Sequence, residues 1–229
     1  MDTMLVDKER ELGEPESPVY QGTPAGVRAA AKFFSYVFHP VFIPLYIILF
    51  LLFIHPGVFA GFSDWKKNMV LLQATAMYAF FPLVTVLLLK ALNFIDSIYL
   101  KSQRDRIIPY VACGIWYFWV WYVWKNLPDS PTEIVVLSLS IFLASSIGLM
   151  ANIYMKISMH TTAMGVMLGF MTWLGLTQWG SFGVYMAVAV LIAGLVCTSR
   201  LLVSDHSRRE VYAGLVAGLM GVLLGYIFT

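Results

Sequence analysis

Seven runs of about 20 mostly apolar residues follow one another along this chain, the length that a bilayer core of roughly 30 Å demands of a helix. They lie at about Phe34 to Ile54, Met69 to Phe94, Ile107 to Trp124, Ile134 to Tyr154, Thr161 to Leu176, Val184 to Leu202 and Val211 to Phe228. In lipid every backbone polar group must be paired within the protein, so only helices and closed barrels cross. Barrel strands would alternate polar and apolar residues, and these runs do not. The expectation is an all-α fold, a polytopic transmembrane helical bundle of about six to seven spans. Short gaps make neighbours in sequence antiparallel neighbours in space. With 59% hydrophobic and 12% charged residues, the chain has too few charges to cover a soluble domain of 229 residues.

Residues 1–30 are polar and mixed in charge, with Pro15, Pro18 and Pro24, and read as a disordered tail without a cleavable signal peptide. Residues 31–229 read as a single helical bundle. A net charge of +2 gives no reason to expect nucleic acid as a partner. Cys113 and Cys197 sit in apolar stretches, as buried small residues do. Gly214, Gly218, Gly221 and Gly225 give the last run two GxxxG spacings, which serve tight packing inside a bundle or a dimer face. Trp116, Trp119, Trp121 and Trp124 suit an interfacial belt and bundle packing.

The charges fall unevenly. Alternating spans put the gaps after the second, fourth and sixth runs on one membrane face, with the amino-terminal segment. Those gaps hold Lys101, Arg104 and Arg106; Lys156, Ser158 and His160; and Arg200, His206, Arg208, Arg209 and Glu210. The opposite gaps hold little beyond Asp64, Lys66, Lys67, Lys125, Asp129 and Glu133. Lysine and arginine number eleven on the first face and three on the other, with Lys90 inside a run. Seven of the eleven belong to the three convergent segments, so the positive-inside rule assigns no side.

Such a constellation has a chemical logic. Phosphoryl transfer spreads negative charge over oxygens that several cationic donors must hold. Arginine offers a planar fork and lysine a point charge. One histidine attacks phosphorus, a second protonates the leaving oxygen, and a carboxylate orients the first. The plainer reading is that lysine and arginine anchor span ends. His39 and His55, each followed by proline, read as helix-end residues.

Ser199-Arg200, five residues, His206, three residues and Glu210 resembles the third signature of the type 2 phosphatidic acid phosphatase family, where aspartate ends the pattern. Ile157-Ser158-Met159-His160 is similar to the second, Pro-Ser-Gly-His, with Met159 at the glycine. Lys101 through Pro109 is similar to the first, with Ile108 at the arginine position and Arg104 or Arg106 as substitutes. The resemblance covers about residues 98–226, and two runs, rather than the usual layout, separate the first two signatures. It implies a multi-pass membrane hydrolase of lipid metabolism, in a bacterial inner membrane, acting on a phosphomonoester or pyrophosphate of a membrane lipid.

On that resemblance His206 is the nucleophile that becomes phosphohistidine, Glu210 orients it, and His160 is the acid and then the base. Arg200, Lys101, Arg104, Arg106, Lys156 and Ser158 hold the phosphate. No metal or other cofactor is implied. Arg208 and Arg209 read as interfacial charges near head groups. Two other classes of function fit the composition: anion or lipid transport, and phospholipid binding without hydrolysis. A transporter would more often gather its ionisable groups near mid-bilayer.

Overall fold

A computed structural model describes residues 22–98, 100, 102–178, 181–203 and 206–229. Among them are eight helices and no strand. These are α1 (Ala25–Val37), α2 (Ile43–Ile54), α3 (Asp64–Ala91), α4 (Gln103–Asn126), α5 (Thr132–Ala151), α6 (Met159–Thr177), α7 (Gly183–Val203) and α8 (Arg208–Phe228). Five of them, α3, α4, α5, α7 and α8, are long and apolar enough to cross a membrane. The chain is an all-α helical bundle.

Two expectations change. The stretch read as a tail becomes helical at Ala25, and residues 1–21 lie outside the described residues. The first apolar run is not one span either: it breaks over residues 38–42 into α1 and α2. Pro40 biases His39 away from helical backbone, and Pro44 opens α2, where its missing N–H matters least. At 12 residues α2 covers about 18 Å, short of a bilayer. It is instead a core helix: Ile43, Ile47, Ile48, Leu51 and Leu52 are each at most 3% exposed.

The helices pack in the order α1, α7, α6, α8, α5, α4, α3, with α2 set against α3, α5 and α6. In α3 the backbone takes one π-type turn at Thr75–Phe80, just ahead of Pro82, whose ring and missing N–H disturb a regular ladder. Helix α6 lies largely against protein. Thr161, Thr162, Met164, Gly165, Met167, Phe170 and Met171 are all buried.

Close approach around α8 explains its glycines. A Cβ at Gly218 would collide with the backbone of α6 at Thr162 and Val166, and one at Gly221 or Gly225 with α5 at Ala144 or Ser140. Both GxxxG spacings therefore serve contacts within the chain. Trp116 stacks on Phe81 at 4.6 Å and donates to Thr85, while Trp124 is buried, so part of the aromatic run joins α4 to α3.

Candidate active site at one end of the bundle

Five contacts bring the expected segments to one end. Gln103, at the start of α4, and Asn152, after α5, exchange side-chain-to-carbonyl hydrogen bonds of 3.1 and 2.8 Å. Arg106 donates from Nη1 to the Ile157 carbonyl at 2.8 Å, tying α4 to the segment before α6. The Ser158 N–H donates to the Glu210 carbonyl at 3.3 Å, joining the starts of α6 and α8. His160 Nε2 donates to the Ser35 carbonyl at 3.1 Å, which brings in the end of α1. The other end has its own ties, an exposed Lys66–Asp129 ion pair and a Gln178–Glu133 bond, each 2.8 Å.

His206 and Glu210 are set by the first turn of α8. Ser207 caps that helix, and Glu210 three residues on reaches back to the Ser207 N–H at 2.7 Å, a capping box. The same carboxylate oxygen accepts from His206 Nδ1 at 3.3 Å. A glutamate spans both tasks, which gives a local reason for its place where the resembled family has aspartate. With Nδ1–H directed at the carboxylate, the lone pair of the His206 ring lies on Nε2. The His206 side chain is 4% exposed. Burial lowers its affinity for a proton; the Glu210 bond opposes this, and the Arg106 and Arg200 charges add to the lowering.

His160 stands at the start of α6, within electrostatic reach of Arg200, His39 and His206. Gly214 lets α6 come this close: a Cβ there would meet Thr161 Oγ1 and stand 2.7 Å from the Ser158 carbonyl. Met159, at the glycine of the resembled signature, sits in ordinary helical backbone, so no left-handed conformation is required of it. Ser158 is fully buried, and its Oγ has no protein hydrogen-bond partner among the described residues. Such a hydroxyl suits an anion oxygen or a water.

The cations divide. Arg200, at the end of α7, reaches all three histidines electrostatically, and Lys156 reaches Glu210. Arg106 is buried and works as a clamp, with Nε on the Leu100 carbonyl and Nη1 on that of Ile157, both at 2.8 Å. Leu100 has φ +49°, a left-handed backbone that side-chain-bearing residues rarely adopt. That conformation turns its carbonyl to the guanidinium. Arg104 is exposed, with no hydrogen bond or ion pair to the site among the described residues. Lys101 lies outside the described residues. Arg208 and Arg209 are exposed at the rim.

One residue read from sequence as an ordinary helix end belongs here. His39, in the α1–α2 turn, places its ring edge-to-face on His160, centroids 5.3 Å apart. Only the proline after it marked that position, and proline signals a turn rather than a partner. His55, by contrast, packs among Phe50, Phe182 and Tyr185, away from this cluster.

No family model, curated protein or solved structure matches this chain. Among the described residues no three His, Cys, Asp or Glu side chains group as metal ligands. The cluster is instead three histidines, one carboxylate and several cations, an arrangement suited to binding an anion and moving a proton beside it.

Proposed function

We propose that this protein is a membrane lipid phosphatase, a divergent relative of the type 2 phosphatidic acid phosphatases that works through a phosphohistidine without a metal. The observation that carries the reading is the His206–Glu210 pair, bonded at 3.3 Å and facing the charge of Arg200. A carboxylate on Nδ1 leaves Nε2 as the attacking atom and stabilises the cationic ring that attack creates. Arg200, Lys156 and the Ser158 hydroxyl supply donors of the kind phosphoryl oxygens need.

In this mechanism His206 Nε2 forms a bond to phosphorus as the bond to the lipid oxygen breaks. His160 passes its proton to that oxygen. A water then gives a proton to His160 and attacks the phosphohistidine, which releases phosphate and restores His206. Arg106 keeps the first and second segments in register and adds a fixed charge within reach of His206.

A lipid substrate accords with the surroundings. An apolar groove of about 420 Å³ runs between α1 and α7, walled by Phe34, Leu191, Leu195 and Leu202, and reaches Ser199 beside Arg200. A hydrocarbon chain in that groove would bring its phosphate toward the cationic end of the bundle.

The test is phosphate release by the purified protein in detergent from a panel of lipid phosphates and pyrophosphates. Release should fall by roughly 10³-fold or more in His206→Ala and in His160→Ala, and little further in the double variant, because the two act as one unit. Binding of a lipid phosphate without release would favour a non-catalytic phospholipid-binding protein. Release that survives His206→Ala would remove the mechanism.

A further inference from the structure

We infer that His39 is a positioning residue of the site: carried on the α1–α2 turn, its ring holds His160 from the side and limits the two imidazoles to at most one positive charge. The catalytic consequence rests on the phosphatase reading, but the coupling of the two rings does not.

The geometry comes from the break in the first apolar run. The chain leaves α1 at Phe38, Pro40 follows His39, and the Val41 N–H donates to His39 Nδ1 at 3.4 Å. With Nδ1 accepting, the neutral ring carries its proton on Nε2. The end of α1 and the turn that follows it then each touch His160: the first through the Ser35 carbonyl on Nε2 at 3.1 Å, the second through the His39 ring, inclined at 81° with centroids 5.3 Å apart. These contacts join an element outside the resembled signatures to the residue assigned as acid.

Among the described residues, the charged and titratable groups facing the pair are cationic or basic: Arg200 from α7 and His206 from the turn before α8. The Glu210 carboxylate is bonded to His206 and to the Ser207 N–H. With a permanent guanidinium nearby and partial exclusion from water, positive charges on both adjacent imidazoles would repel each other strongly, so at least one ring remains neutral. Burial and the Arg200 charge both lower the proton affinity of His39. In the reaction the proton passes from His160 to the leaving oxygen, while His39 neither gains nor loses one. Its part is to orient the acid and set the pH at which the acid is charged.

The test uses the full-length protein in detergent, with His39→Phe, which keeps a ring without a titration, and His39→Gln, a smaller polar replacement if the first does not fold. Two readouts are taken: imidazole titration by nuclear magnetic resonance, and the pH profile of phosphate release. Without His39 the titration of His160 should move up by about one pH unit, and the alkaline limb of the rate profile should move with it. A His160 titration unchanged in both variants overturns the inference. So does a rate lowered by the same factor at every pH, the mark of a merely structural role. If the wild type releases no phosphate, the phosphatase reading falls, and the titrations still decide the pair. Coupled midpoints then support the inference, and independent ones end it.

Discussion

His206 Nδ1, just ahead of the α8 cap, lies 3.3 Å from Glu210 Oε2 in the first turn of α8, and the same oxygen accepts the Ser207 N–H at 2.7 Å. The carboxylate therefore orients the histidine and closes a capping box at once. Glu210→Gln retains the length and one acceptor oxygen while removing the charge that stabilises a cationic ring. Phosphate release should drop by about 10²-fold or more, as expected when the carboxylate partner of a catalytic histidine is neutralised. Thermal unfolding should register a loss of only about 1 kcal/mol, the scale of a weakened cap. A rate within twofold of wild type would show that Glu210 is a capping residue and nothing more.

Arg106 and Arg104 should separate cleanly. Arg106→Met removes the donors to the Leu100 and Ile157 carbonyls, and each buried acceptor left unmet costs about 1–3 kcal/mol. Lower thermal stability and lost release are expected together. Arg104→Ala, at an exposed position, should change neither by a measurable amount. Equal effects of the two substitutions would contradict the clamp.

Gly214 and Gly225 offer a contrast along one helix. At each, an added Cβ collides with a neighbour: Thr161 and Ser158 at Gly214, Ser140 at Gly225. Each alanine variant should lose about 1–3 kcal/mol through overpacking. Eleven residues of helix put Gly225 about 16 Å further from the site. Gly214→Ala should therefore reduce phosphate release well beyond its effect on stability, whereas Gly225→Ala should keep the specific activity of its folded fraction. The measurement is release normalised to folded protein.

Acidification should destabilise the bundle through His39 and His206. Burial lowers both below the ordinary value of 6.5; Arg200 reinforces this at His39, and Arg106 and Arg200 outweigh part of the Glu210 bond at His206. Between their folded values and 6.5 the unfolded chain binds more protons than the folded one. Stability thus rises with pH across that window, is fully present above it, and is lost as pH falls. Thermal midpoints should be level above about pH 6.5 and decline below it. The decline should be shallower in His39→Phe. A midpoint that rises on acidification would reverse the sign and refute the assignment.

Much of this protein was determined by sequence alone, because the relevant constraints are local or set by the solvent. A bilayer forces long apolar runs to be helices, and the alternation of spans carried the polar gaps to one end, as the Gln103–Asn152 and Ser158–Glu210 contacts bear out. His206 and Glu210 stand four residues apart across the α8 cap, so their meeting needs only that local cap and first turn to form.

The tertiary structure decided what depends on helix phase and on partners distant in the chain. Arg104 and Arg106 differ by two residues, about 200° around a helix, and only packing against the Ile157 segment chose Arg106 for the interior. The apolar run at the amino-terminal end hid the division into α1 and α2, since hydropathy records burial in lipid and burial in protein alike. His39 meets His160 across 121 positions of chain through a turn whose sequence names no partner. That contact exists because α1 packs on α7 and α6 packs on both α7 and α8, a set of surfaces that no single segment encodes.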